Sequence, residues 1–463
     1  MRILFITPPT PSVVKEVLGS GGPPLGLAYL AATAREEGWE PGIIDALTEG
    51  LSLRELERRI SGFDPDVVGI TATTSMMPDV YEVAKIVKGV NEGALVLLGG
   101  PHATFMAHEI LRECPHVDLV VRGEGEETLR EILGKLEKGH SFRDVLGVTY
   151  REGGLIKDNP PRPLIRDLDA LPHPEYDLLP MEKYVVNGVR FGAVMTSRGC
   201  PYNCVFCSSS LQFGKGWRSH SVDRVIDELK ILSEEFGVKE VEFLDDTFTL
   251  NPKRVEEISK RVVEEKLDIS WSASSRVNTF NYQIGCSMRR AGAHTVYFGI
   301  ESGSDRTLKF IEKGISRMQS MEAVKAAKRA GLRVLGSFVM GFPYETEDEI
   351  RETISFANRV GVDLAQFTIA TPYPGTRLWE IALEKNLLLT RNWRKFTTVD
   401  VVMKNIYLTP QRIKKLFLWA YLTFYLHPRR VIEDVIRNRG FILRRAIPAA
   451  FKFVKRSILS LWE

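Results

Sequence analysis

A chain of 463 residues, 44% hydrophobic and 26% charged, is long enough for two or three domains with their own cores and needs no covalent staples. Its five cysteines, three of them within eight residues, exclude an extracellular disulfide framework and read as ligands in a reducing compartment. No apolar run approaches the roughly 20 residues needed to cross a bilayer, and MRILFITPP has no signal-peptide layout, so a cytoplasmic protein is expected. The formal charge of +3 is unevenly spread: from Pro410 to Glu463 there are 12 Lys and Arg against 3 Asp and Glu, a concentration of basic charge in the tail.

Over residues 1–140, RILFIT (2–7), PGIID (41–45), DVVGITA (66–72), ALVLLGG (94–100) and VDLVVRG (117–123) alternate with helical stretches. This predicts an α/β domain, a Rossmann-like, doubly wound parallel sheet of five strands. Such sheets bind ligands where the strand order reverses, at the strands' carboxyl ends. There lie TPPT (7–10), TATTS (71–75), GGPH (99–102) and RGEGE (122–126), whose small residues let backbone approach a large polar ligand. The first strand is not followed by G-x-G-x-x-G, so a dinucleotide is not the expected occupant. VLGVTYREGGLIKD (145–158) reads as a hairpin and the Pro-rich stretch 159–180 as an extended linker, within a connecting region over 141–189.

A second alternation fills residues 190–385, with strands expected near 192–197, 239–245, 268–274, 295–301, 333–340 and 364–369. Six β/α units predict a partial TIM-type barrel whose chemistry lies at the strand carboxyl ends. Residues 386–463 read as a C-terminal helical region with a basic amphipathic end.

Cys200, Cys204 and Cys207 form C-x3-C-x2-C directly after the first strand of that barrel. A structural zinc or a ferredoxin cluster takes four protein ligands, so three leave one coordination position for chemistry or a bound ligand. The competing reading is a degenerate zinc knuckle completed by His220 or His294. Cys114 and Cys286 read as small buried hydrophobes.

With Phe206 before the last cysteine, this motif resembles that of the radical S-adenosylmethionine superfamily. The resemblance implies that Cys200, Cys204 and Cys207 bind three irons of a [4Fe-4S] cluster while S-adenosylmethionine chelates the fourth, releasing a 5′-deoxyadenosyl radical on reduction by a ferredoxin- or flavodoxin-type donor. It implies cofactor contacts for Phe206 and for Asp245 or Asp246 in VEFLDDTFT (241–249). Arg276 in WSASSRVN (271–278) suits the cofactor carboxylate through its guanidinium fork, and Glu301 in GIESGSD (299–305) suits the ribose hydroxyls. Tyr297 and Tyr373 are expected near the mouth.

A doubly wound domain ahead of such a barrel, carrying GPPLGLAYLAA (22–32), LGGPHAT (98–104) and VVRGEGEETL (120–129), is similar to the cobalamin-binding subfamily. That subfamily includes hopanoid methylases, the anaerobic porphyrin cyclase and antibiotic-pathway C-methylases. Cobalamin is then the implied occupant, with Ser75, Gly99, Gly100, His102 and Glu124 as candidate contacts; Gly99 and Gly100 suit its nucleotide tail because they allow close approach. The D-x-H-x-x-G motif is absent, and His102 follows the fourth strand rather than the first, so a histidine below cobalt is not expected. The segment Ser75–Met77 is the candidate to face it.

The resemblance implies a cobalamin-dependent radical C-methyltransferase acting on an unactivated carbon. A cyclase-like enzyme that makes a ring or carbon–carbon bond without methyl transfer is the first alternative. The second is a non-catalytic cobalamin or iron–sulfur sensor, against which Arg276 and Glu301 argue. In FILRRAIPAAFKFVKRSILSLW (441–462), Arg444, Arg445, Lys452, Lys455 and Arg456 share one helix face, which fits either an anionic membrane surface or packing on the barrel. KKLFLWAYLTFYLHPRR (414–430) fits packing or an apolar ligand. A lipid or other small-molecule substrate and peripheral contact at the inner face of the membrane are therefore expected, and nucleic acid is not.

Overall fold

A computed structural model describes residues 1–10, 22–186, 188–428 and 430. The chain divides into two compact units, Met1–Pro201 with Ser208–Asp246 and Glu265–Ser270, and Tyr202–Cys207 with Thr247–Glu264 and Trp271–Glu463.

The first unit contains β1 (Arg2–Thr7), β2 (Glu40–Asp45), β3 (Val67–Thr71), β4 (Leu95–Gly99), β5 (Leu119–Val121), β6 (Val148–Glu152) and β7 (Leu155–Asp158). They form one sheet in the order β2-β1-β3-β4-β5-β6-β7. The first five are parallel, and their interiors are runs such as ILFI (3–6) and VLL (96–98) that are almost wholly buried, as a sheet covered on both faces requires. The hairpin at 145–158 is present, but it is not a free connector. It joins the same sheet antiparallel to β5. The chain winds one way from β1 to β2 and the other from β1 to β3, so the crevice between the carboxyl ends of β1 and β3 is the switch point.

The same unit holds β8 (Val185–Val186), β9 (Val189–Val194), β10 (Ser197–Arg198), β11 (Arg218–Ser219) and β12 (Glu240–Phe243). β9 and β12 run parallel. β10 and β11 form an antiparallel ribbon with Arg198 opposite Arg218, and residues 199–217, which carry all three motif cysteines, are the loop closed by that ribbon.

In the second unit β13 (Ser270–Ser275), β14 (Ala293–Glu301), β15 (Arg333–Met340) and β16 (Leu364–Ile369) pair in parallel. The helices Tyr282–Arg290, Arg317–Arg329 and Glu347–Arg359 connect them. The latter two start at capping boxes, Ser316 with Gln319 and Thr346 with Glu349, each of which pairs two otherwise orphaned amides. Inward aromatics fill the space beneath; Phe338 stacks on Phe367 with ring centroids 5.5 Å apart.

β16 ends its sheet, and the helix Pro410–Tyr425 closes that edge with side chains. The Tyr425 hydroxyl accepts from Ala365 N (3.2 Å) and donates to Ala365 O (2.8 Å). The Tyr421 hydroxyl does the same for Phe367, at 3.2 and 3.0 Å, and Ile369 N donates to Thr398 O at 2.7 Å. The tyrosine-bearing side of the helix Pro410–Tyr425 is therefore packing surface. The amphipathic stretch 441–462 lies outside the described residues, among which no helix is long and apolar enough to cross a membrane.

Removing both phenols should leave four edge backbone groups unsatisfied under a helix. A Tyr421→Phe, Tyr425→Phe double variant is expected to lose about 2–5 kcal/mol of stability in denaturant unfolding, and to scatter more light at high concentration as the open edge pairs between molecules.

Candidate cofactor sites

At the switch point of the first sheet lies a cavity of about 170 Å³. Its walls come from Phe5 on β1, Gly69–Thr71 on β3, Leu97–Gly99 on β4 with Gly100, and Gly123–Glu126 after β5. Leu25, Tyr29 and Leu30 of the helix Leu25–Glu36 form the opposite wall, and Met195, Arg198, Gln212 and Phe213 complete it. Gly100 has φ +100°, and a Cβ there would lie 3.0 Å from the Ala72 carbonyl oxygen. A Cβ on Gly99 would meet nothing within 4 Å. Apolar walls and a side-chain-free lip fit a large, flat and mostly apolar ring system carrying a polar tail.

One end of this wall is charged. Arg198 donates to Glu124 Oε1 (3.1 Å) and Glu126 Oε1 (2.6 Å). Arg218 donates to both Glu124 oxygens, at 3.0 and 2.9 Å, and Ile165 N donates to Glu124 Oε2 at 2.8 Å. The Arg198 guanidinium also faces the Tyr29 ring, 5.5 Å from its centroid. Despite its burial, Glu126 is held below the usual carboxylate range by Arg198, while burial chiefly keeps the Tyr29 phenol protonated.

Gly199, between the ribbon and Cys200, has φ +92°, and a side chain there would overlap the Gly216 carbonyl oxygen. Only glycine serves. Cys200 N donates to Gly214 O at 3.2 Å. Asp245 fixes the approach to the motif: it accepts from Thr196 N (3.1 Å), Thr196 Oγ1 (2.7 Å) and the Ser197 hydroxyl. Asp246 is exposed and accepts from Ser209 Oγ at 2.7 Å.

In the second unit Val205 anchors the rest of the motif. Its side chain lies in the core with Ile311, Phe342 and Leu378, its N–H donates to Ile311 O (3.0 Å) and its carbonyl accepts from Leu378 N (2.8 Å). Phe206 packs on the same cluster, 6.1 Å from the Phe342 ring, and Cys207 N closes a turn on Cys204 O at 3.0 Å. Arg276 Nη1 is 3.6 Å from Cys204 Sγ, its guanidinium lies 3.5 Å over the Tyr202 ring, and its other nitrogen donates to the Lys313 carbonyl. Lys313 Nζ in turn pairs with Glu301 Oε1 at 2.7 Å, both residues being buried. A register shift between Gly299 and Glu301 and φ +64° at Glu301 mark a bulge that re-aims this carboxylate; any side chain on Gly299 would collide with it.

The cavity thus brings together Gly99, Gly100 and Glu124, whereas Ser75 and His102 are not among its lining residues. His102 is buried and its Nδ1 is 3.1 Å from Thr74 Oγ1. His220 is paired with Asp169 at 3.0 Å and stacked on Tyr29. His294 sits at the amino end of β14, opposite to Glu301 along the strand. Tyr297 donates to Ser272 and Tyr373 to Phe396 O. Sequence reasoning missed Tyr29, Arg198, Arg218 and Lys313. Arg198 stands inside the TSRGC segment, but nothing local links it to glutamates more than 70 residues earlier. Among the described residues no three His, Cys, Asp or Glu side chains are gathered tightly enough to hold a metal ion unaided. The fit to an iron–sulfur cluster rests on the donors, three partly exposed thiols outside any disulfide, with the Arg276 guanidinium beside Cys204.

Comparison with known proteins identifies both domains. Residues 11–133 match the B12 binding domain model and residues 194–357 the radical SAM superfamily model. An uncharacterized methyltransferase of Pyrococcus horikoshii is 59% identical over 96% of this chain and 97% of its own. The anaerobic magnesium-protoporphyrin IX monomethyl ester cyclase of Cereibacter sphaeroides is 29% identical over 99% of this chain and 76% of its own. Among solved structures, the cobalamin-dependent S-adenosylmethionine radical enzyme OxsB, with aqua-cobalamin and S-adenosylmethionine bound, shares the fold with a TM-score of 0.79 at 17% identity, covering 97% of this chain and 72% of that one. The chain belongs to the cobalamin-binding radical S-adenosylmethionine enzymes. Its cofactors are a [4Fe-4S] cluster, S-adenosylmethionine and cobalamin.

Burial lowers His102 to about 4 from 6.5, and His220, also buried, lies at about 4 against the pull of Asp169. Both fold as neutral imidazoles, so their stabilisation is complete above pH 6.5 and is lost as pH falls toward 4. His102→Gln is expected to remove up to about 3 kcal/mol of that acid sensitivity in denaturant melts between pH 7 and 4, and to leave the absorbance spectrum of bound cobalamin unchanged.

Proposed function

We propose that this enzyme is a C-methyltransferase that places a methyl group on an unactivated carbon of an apolar small molecule. The observation that carries the reading is the presence in one chain of a three-thiol motif and a glycine-lipped switch-point cavity; the P. horikoshii relative named as a methyltransferase supports it. Bound together, the cofactors supply a 5′-deoxyadenosyl radical for hydrogen abstraction and a methyl carrier for the resulting carbon.

The protein's own residues orient these groups. Cys200, Cys204 and Cys207 hold the cluster, and Arg276, anchored on Tyr202 and the Lys313 carbonyl, sets a fixed positive charge beside Cys204. Glu301 and Lys313 offer a buried acceptor and a buried donor for the polar ends of S-adenosylmethionine. Gly99 and Gly100 admit the nucleotide tail of cobalamin, with Tyr29 and Phe5 as its walls. A low-potential donor of ferredoxin or flavodoxin type supplies the electron. We extend the reading to a lipid substrate met at the membrane's inner face through the basic tail, which rests on the sequence of residues 441–463 alone. The likeness to a porphyrin cyclase over nearly the whole chain favours ring formation as the second reading.

After anaerobic reconstitution with cluster and cobalamin, the methylase reading expects S-adenosylhomocysteine and 5′-deoxyadenosine to form in step with product; deoxyadenosine without S-adenosylhomocysteine would refute it in favour of the cyclase-like reading. Any single Cys→Ala change at 200, 204 or 207 should abolish deoxyadenosine while cobalamin still binds. For the lipid extension, truncation after residue 440 should end flotation with anionic liposomes and lower activity on a lipid substrate; unchanged flotation and activity would sink it.

A further inference from the structure

We propose that Arg218 is a positioning residue that makes the occupant of the switch-point cavity felt at the cysteine segment. Arg198 and Arg218 are direct cross-strand partners, and like charges in that position repel. They stand together because Glu124 accepts from both, and Glu126 takes the second nitrogen of Arg198. The two arginine and two glutamate side chains are only 3–13% exposed. Such a cluster survives the loss of water only as a closed, neutral set, so its members hold or shift together.

Glu124, Glu126 and Arg198 line the cavity, and Arg218 does not. Arg218 is braced from behind the wall: it donates to the Ile165 carbonyl and to Phe213 O (2.8 Å), and Phe213 is itself a lining residue. A group seated against Glu124 and Phe213 therefore presses on the β10–β11 ribbon through Arg218 on one strand as well as through Arg198 on the other. The ribbon is the base of the loop carrying the cysteines, and Cys200 is tied back by its N–H to Gly214 O. Arg218 acts through Glu124 and touches no cofactor itself.

The inference rests on cobalamin being the occupant. The experiment compares the electron paramagnetic resonance spectrum of the reduced cluster with and without hydroxocobalamin, after anaerobic reconstitution, in wild type, Arg218→Gln and Arg218→Lys. The expected result is a cobalamin-dependent change of the wild-type spectrum that is clearly weakened in Arg218→Gln, although absorbance titration shows cobalamin bound within about threefold of wild type. Arg218→Lys, which keeps the charge but loses the fork, should restore part of the change, and it carries the test alone if the glutamine variant does not fold. A full wild-type response in the variants, or no response in wild type with cobalamin bound, overturns the proposal. Absence of cobalamin binding in wild type refutes the functional reading itself, is seen in the titration alone, and takes the proposal with it.

Discussion

Burying four charges is costly, and the molecule does so in the wall of the switch-point cavity, against the ribbon that closes the cysteine loop. In the interior, breaking one member of such a set typically costs about 3–5 kcal/mol because the others are left uncompensated. The cluster of Glu124, Glu126, Arg198 and Arg218 is thus unable to relax piece by piece. The loop after β5 and the ribbon beneath the cysteine segment have one mutual placement that leaves no charge unpaired. The alternation of small residues in RGEGE follows from this: the glutamates serve the arginines, and the glycines between them keep the wall open.

The fold was largely legible in the chain. Six barrel strands fall within about three residues of the expected positions, because β15 and β16 are apolar runs with sharp glycine and proline boundaries. The five parallel strands of the first sheet were equally plain. The hairpin at 145–158 was visible as a hairpin, yet its membership of the first sheet was not, since only non-local pairing with Leu119–Val121 decides it.

The sites were legible in proportion to how local they are. The three cysteines and the glycine pair announce themselves by spacing. Arg276 and Glu301 were reached by analogy, and the structure adds that each already has a partner, the Lys313 carbonyl and the Lys313 ammonium respectively. Lys313 had no local motif to betray it. Asp245 was likewise reached by resemblance, and the structure adds that its oxygens accept from Thr196 and Ser197, which orders the approach to the motif.

The two helix tyrosines that cap the edge of β16 bear on why the strand series stops where it does. A sheet edge left bare would call for further strands or for closure of the ring. Here each phenol imitates both halves of a neighbouring residue, taking the amide proton and giving one to the carbonyl. The strand series can end at β16, because its outer edge already has the partners that another strand would have supplied.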